Sequence, residues 1–153
     1  MKSTRQPTPK PTTPTTTNLI QQLKDNGQDH EFYPTTKEIL DAVMRDITRE
    51  DAVRMGESVL DIGAGNGKAL ATFKEKGFGK LYAIEKSSIL QQQMPEEVFI
   101  IGTEFAEQSL YSKPVDVVFC NPPYGDFEAW AVKILREASA KAVYLVLPQR
   151  WEK

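Results

Sequence analysis

Cysteine is almost missing from this chain. Cys120 is the only one in 153 residues, so an internal disulfide and a cysteine metal cluster are both excluded. Long apolar runs are missing too, and none approaches the roughly 20 residues of a membrane span. Residues 1–18 hold threonine, proline and basic residues, with no apolar side chain after Met1. They lack the apolar centre of a secretory signal and the arginine content of an organelle transit peptide, so a cytoplasmic protein without membrane contact is expected. A surplus of positive charge is also absent. The net charge is −2, and Lys2, Arg5 and Lys10 all lie in the first 18 residues, which leaves an acidic remainder. Domains that live on nucleic acid usually carry a basic face. Any such contact must then come from a local patch, from the tail, or from a part of the protein outside this chain.

What is present is ordinary for a globular domain: 40% hydrophobic residues, 26% charged residues and a mean hydropathy of −0.43. The length suffices for one sizeable core. Residues 1–18 cannot bury enough surface to offset chain entropy and are expected to be a disordered Thr/Pro-rich tail, leaving 19–153 as a single domain. A short helix is expected to start within Leu19–Leu23. Thr35-x-x-Glu38 has the spacing of a capping box and precedes Ile39, Leu40, Val43, Met44 and Ile47 on one helical face, which predicts a helix over 36–48.

From there short apolar runs alternate with helical segments. The pattern predicts strands at 58–62, 80–84, 98–101, 115–119 and 142–147. It predicts helices at 68–76, 87–93 and 127–140, the last with Trp130, Ile134, Leu135 and Ala138 on one side, and a helical turn or loop over 104–110. Short strands alternating with helices argue a mainly parallel sheet covered on both faces. Right-handed crossovers make this a doubly wound, Rossmann-like α/β fold.

Three segments carry chemistry. Val59-Leu60-Asp61-Ile62-Gly63-Ala64-Gly65-Asn66-Gly67-Lys68 runs from a strand through a glycine-rich loop into a helix, so its backbone can approach a ligand closely. A bare Gly-x-Gly would also suit a dinucleotide fold. Here Asp61 would repel a pyrophosphate and suit a cationic or amino-bearing ligand. The Gly63, Gly65, Gly67 spacing is not Gly-x-Gly-x-x-Gly, and no Gly-Lys-Ser/Thr follows. Glu85 closes the second strand, where an acid can accept hydrogen bonds from both hydroxyls of a ribose. Glu104 and Phe105 follow the third strand, where a carboxylate and a ring can bracket an adenine.

The third segment, Asn121-Pro122-Pro123-Tyr124, directly follows the apolar run 115–120. Each proline fixes φ, removes an N–H donor and holds the preceding residue extended. The result is a rigid shelf showing an amide, carbonyls and an aromatic ring, a set that suits a planar substrate nitrogen. Lone His30 reads as a loop residue rather than a general base, and Cys120 as a small buried apolar residue.

The loop around Asp61, the acid Glu85 and the Asn-Pro-Pro-Tyr shelf stand in the order and spacing of class I S-adenosylmethionine-dependent methyltransferases, which the chain resembles from about His30 onward. The shelf is that of the amino-methylating branch and looks most like DNA N6-adenine methyltransferases. Phe32-Tyr33-Pro34-Thr35 is similar to the segment those enzymes place over the methionine end of the cofactor. The stretch from Phe119 to Trp151, with Trp130, Lys133 and Leu147-Pro148-Gln149-Arg150-Trp151, resembles phage and mobile-element versions.

The resemblance implies S-adenosylmethionine as cofactor and no metal. Tyr33, Pro34, Thr35, Asp61, Gly63, Gly65, Gly67, Glu85, Glu104, Phe105 and Asn121 would bind the cofactor. Asn121 and the Pro122 carbonyl would accept the two N–H groups of the target amine, and Tyr124 would stack on its base. It implies a nucleic-acid substrate, DNA ahead of RNA. RNA bases and protein glutamine are alternatives that share the shelf, and a non-catalytic cofactor-binding subunit is a third. The family's fold adds two strands after the fifth, which this sequence does not reach. The expectation is therefore a fragment of a longer protein, a domain completed by a partner or by self-association at an exposed edge strand, or a reduced domain.

Overall fold

The computed structural model describes residues 15–49 and 57–152. Five strands form one sheet: β1 Ser58–Ile62, β2 Lys80–Ile84, β3 Val98–Gly102, β4 Val115–Cys120 and β5 Ala140–Leu145. All pairings are parallel and the order is β3-β2-β1-β4-β5. Five helices accompany them: α1 Thr16–Asp25, α2 Lys37–Arg49, α3 Lys68–Glu75, α4 Ser88–Gln91 and α5 Phe127–Glu137. This is the doubly wound architecture expected from the alternation of short apolar strands and helices.

The two faces of the sheet bury separate clusters, because successive strand residues point to opposite sides. Val59, Leu81, Val117 and Phe119 pack with Leu40, Met44 and Ile47 of α2 and with Leu70 and Phe73 of α3. Leu60, Ile62, Ile84, Val118 and Cys120 pack with Phe105, Leu110 and Ile134. The chain runs from β1 outward through β2 and β3, then returns to place β4 on the other side of β1. The switch point lies between the carboxyl ends of β1 and β4, where such sheets open a crevice. Register pairs Ile62 with Cys120, so the glycine-rich loop and the diproline shelf leave the sheet side by side.

Four local expectations need correction. Helix α1 begins at Thr16, so residues 16–18 belong to the helix and not to the tail; residues 1–14 lie outside the described residues. The α2 cap is Thr36, whose hydroxyl faces the Ile39 N–H at 3.5 Å. Thr35 is buried and turned toward the shelf. Helix α5 ends at Glu137 and β5 starts at Ala140. Glu-Ala-Ser-Ala-Lys-Ala carries no glycine or proline stop and reads as helix by propensity, but the Val115 N–H donates to the Ser139 carbonyl at 3.1 Å and pairing with β4 captures the chain. On α5 the inward residues are Phe127, Ala131 and Ile134, while Leu135 is 66% exposed. Among the described residues β5 is an edge strand whose side chains are mostly half-buried.

Candidate active site at the switch point

The glycine-rich loop is tied to β2 by its own backbone. The N–H groups of Gly63 and Ala64 both donate to the Ile84 carbonyl, at 2.8 and 3.2 Å, and the Gly65 N–H donates to Oε2 of Glu85 at 2.8 Å. The other Glu85 oxygen accepts the Ser87 N–H at 2.7 Å. Gly65 has φ +58°, and an added Cβ would lie 2.7 Å from the Phe32 ring; only glycine allows both the left-handed turn and that approach. Gly67 does different work. It does not line the crevice, and a Cβ there would meet Pro95 at 2.8 Å, so it serves packing of the loop against the chain after α4.

Two acids face the crevice. Asp61 is 2% exposed, and no donor among the described residues reaches its carboxylate. Burial, reinforced by the charge of Glu85, pushes its carboxyl well above the usual range. Burial also raises Glu85, against the pull of the N–H groups of Ser87 and Gly65. Cys120 is buried behind them, its thiol pushed up by burial and then by Asp61, as befits an inert core residue.

The shelf forms the opposite wall. Asn121 Nδ2 donates to the Tyr33 carbonyl at 3.1 Å and to the Thr35 hydroxyl at 3.3 Å. A carbonyl only accepts, so the amide nitrogen must face Tyr33. No donor among the described residues reaches Oδ1, and Asn121 is only half-buried at the crevice wall. Pro122 is buried, and Pro123 rather than Pro122 lines the cavity. Tyr124 stands at the rim, its ring centroid 5.3 Å from that of Tyr33, and its carbonyl accepts from Arg150 at 2.7 Å. The Gly125 N–H donates to Glu31 at 2.8 Å. Segment 31–35 is thus fastened to the shelf on both sides of Phe32, whose ring covers Gly65.

The third wall holds Glu104 and Phe105. Glu104 is paired with Lys86 at 2.7 Å, a partner not foreseen from the sequence. Phe105 is buried and packs on Trp130, centroids 4.7 Å apart, with the Lys133 ammonium 5.5 Å from its own centroid. Trp130 also lies over Gly63, where a Cβ would come within 3.1 Å of its ring.

The cavity so enclosed has a volume of about 110 Å³. Of the expected site residues it gathers Tyr33, Pro34, Thr35, Asp61, Gly63, Gly65, Glu85, Glu104, Phe105 and Asn121, with His30 at the rim. Gly67, Pro122 and Tyr124 do not line it. Trp130, Phe32 and Pro123 do; Phe32 and Pro123 stand in the segment and the shelf that the sequence singled out, whereas the sequence does not mark Trp130 as a lining residue. Trp130 reads in the sequence as part of a helical core stripe but is half-buried in the structure; only the pairing of β1 with β4 brings it over the glycine-rich loop. Among the described residues no three histidine, cysteine or acidic side chains cluster as metal ligands. No described helix is long and apolar enough to cross a membrane.

No family model matches the sequence, and no curated protein matches it. Solved structures do. The plantazolicin methyltransferase BpumL, in complex with a pentazolic desmethylPZN analog and SAH, aligns over 89% of this chain and 54% of its own, with TM-score 0.60 and 19% identity. A provisionally assigned RNA methyltransferase from Pyrococcus horikoshii aligns over 73% and 59%, with TM-score 0.55 and 16% identity. YjhP from E. coli aligns over 79% and 51%, with TM-score 0.53 and 21% identity. The chain spans between about half and three fifths of the length of these structures, and the likeness is one of fold.

Proposed function

We propose that this chain binds S-adenosylmethionine in the crevice and methylates an exocyclic amino group, adenine N6 in DNA being the foremost target. The residues present suit such a cofactor. Two buried carboxylates, one without a donor, favour a ligand carrying positive charge. Trp130, Phe105 and Tyr33 offer ring faces of the kind that attract cations. The structural neighbour BpumL is a methyltransferase crystallised with SAH, which agrees with this choice.

When bound, the cofactor supplies an electrophilic methyl group on a sulfonium centre. The chain's own part is to present the acceptor. Exocyclic aromatic amines are weak nucleophiles because the lone pair is shared with the ring. Oδ1 of Asn121 holds one N–H of the target, and the nitrogen is drawn toward a pyramidal form. Tyr124 at the rim stacks on a base withdrawn from its helix, as chemistry on a base requires. Positioning and fixed dipoles supply the rate.

The observation that carries this reading is the Asn121 amide, with its nitrogen engaged by Tyr33 and Thr35 and its oxygen left to accept. The cavity of about 110 Å³ is narrower than the roughly 300 Å³ at which small-molecule sites begin, and the Phe32 ring lies over Gly65 on one side of it.

The test is incubation with labelled cofactor and unmethylated DNA, RNA or protein, followed by nucleoside and peptide mass spectrometry. The expected product is N6-methyladenine in DNA. Asn121→Ala should lower its formation at least about 100-fold with cofactor affinity unchanged within a few-fold. Methylated RNA or glutamine instead would reassign the substrate, and cofactor binding without any product would make the chain a non-catalytic subunit.

A further inference from the structure

We propose that Thr35 is a positioning residue for Asn121 rather than a cofactor ligand, and that Tyr33-Pro34-Thr35 forms a two-point clamp on the shelf amide. The inference rests on the methyl-transfer reading above for its catalytic consequence, but the clamp itself is a matter of geometry. The Tyr33 carbonyl lies 3.1 Å from Asn121 Nδ2 and the Thr35 Oγ1 lies 3.3 Å from it. The two contacts have separate jobs. The carbonyl cannot donate, so it decides which end of the amide faces it; a flipped amide would set two acceptors against each other. One contact still leaves the amide free to swing about it. The Thr35 hydroxyl supplies the second point, and Thr35 is 8% exposed, so water is a poor substitute there. Pro34 stands between the two acceptors as a spacer, with fixed φ and an extended residue before it. Oδ1 is thereby turned away from the clamp, at a crevice wall where no donor among the described residues meets it.

The experiment uses the full chain with ¹⁵N-labelled asparagine. The sequence has four asparagines, Asn18, Asn26, Asn66 and Asn121, and the Asn121 side-chain signals are identified by their loss in Asn121→Ala. Thr35→Val keeps the shape and removes the acceptor. It should speed exchange of the Asn121 amide protons at least about five-fold, and Thr35→Ser should restore them. In methyl transfer Thr35→Val should lower kcat about ten-fold, in line with the loss of one neutral hydrogen bond, with the cofactor Kd from calorimetry within three-fold of wild type. Unchanged amide exchange in Thr35→Val would overturn the clamp. A cofactor Kd weakened as much as kcat would return Thr35 to cofactor binding. If the wild-type chain methylates nothing, the functional reading fails while the exchange measurement still decides the clamp.

Discussion

Two aspartates on neighbouring strands, near opposite ends of the sheet, have opposite fates. Asp116, at the start of β4, is saturated. Its Oδ2 accepts the N–H groups of Glu57 and Ser58 at 2.9 and 3.0 Å and the Ser58 hydroxyl at 3.0 Å, while Oδ1 pairs with Lys141 at 2.7 Å. The Lys141 contact, with those donors behind it, holds its carboxyl well below the usual carboxylate range. Asp61, at the end of β1, is more deeply buried and has no donor among the described residues, so its carboxyl is pushed up. One acid stitches the starts of β1, β4 and β5 together. The other is held toward its neutral form by burial and by the charge of Glu85. Asp61 also lines the crevice at the topological switch point, whereas Asp116 lies at the far end of its strand.

Removing each acid in turn sharpens that contrast. Asp61→Asn should weaken S-adenosylmethionine binding about 10- to 100-fold, the worth of one charged hydrogen bond, while the ligand-free fold keeps or gains stability; calorimetry with unchanged affinity would break the comparison. Asp116→Asn should do the reverse. It should cost about 1.5–3 kcal/mol in urea unfolding and leave cofactor affinity within three-fold, and a variant as stable as wild type would deny the latch.

The smallest effect is in the pH dependence of stability. The folded pKa of Asp61 lies above the unfolded value of about 3.9. Its contribution is therefore full below that pH and is lost as pH rises through the raised folded value. Asp116 has the opposite sign: its contribution is present above about 3.9 and is lost as pH falls through the depressed folded value. Unfolding midpoints over a pH series should lose the decline above about pH 3.9 in Asp61→Asn and the decline below it in Asp116→Asn. Identical slopes in both variants would mean that neither environment is as drawn.

The strands and the three loops were legible because each rule behind them is local. Alternating short apolar runs fix strands, glycines mark the turn after β1, and consecutive prolines stiffen whatever follows β4. Element ends were less legible. Thr35 and Thr36 are chemically equal as caps, and only packing against Asn121 assigns Thr35 to the shelf. The end of α5 turned on a hydrogen bond from Val115 to Ser139, a contact 24 positions away that no helical propensity encodes.

The chemistry of the site was written in residue types: two acids, an amide before two prolines, and aromatic rings. By itself the sequence determined the doubly wound fold and the loops that line the crevice, since periodicity and backbone restriction act between near neighbours. Tertiary structure alone decided which groups meet. It put Trp130 over Gly63, Phe32 over Gly65 and Lys86 on Glu104, and it turned the Asn121 amide by a carbonyl 88 residues away. Those choices depend on strand register and crossover, which bring distant segments within hydrogen-bond reach and have no local signature.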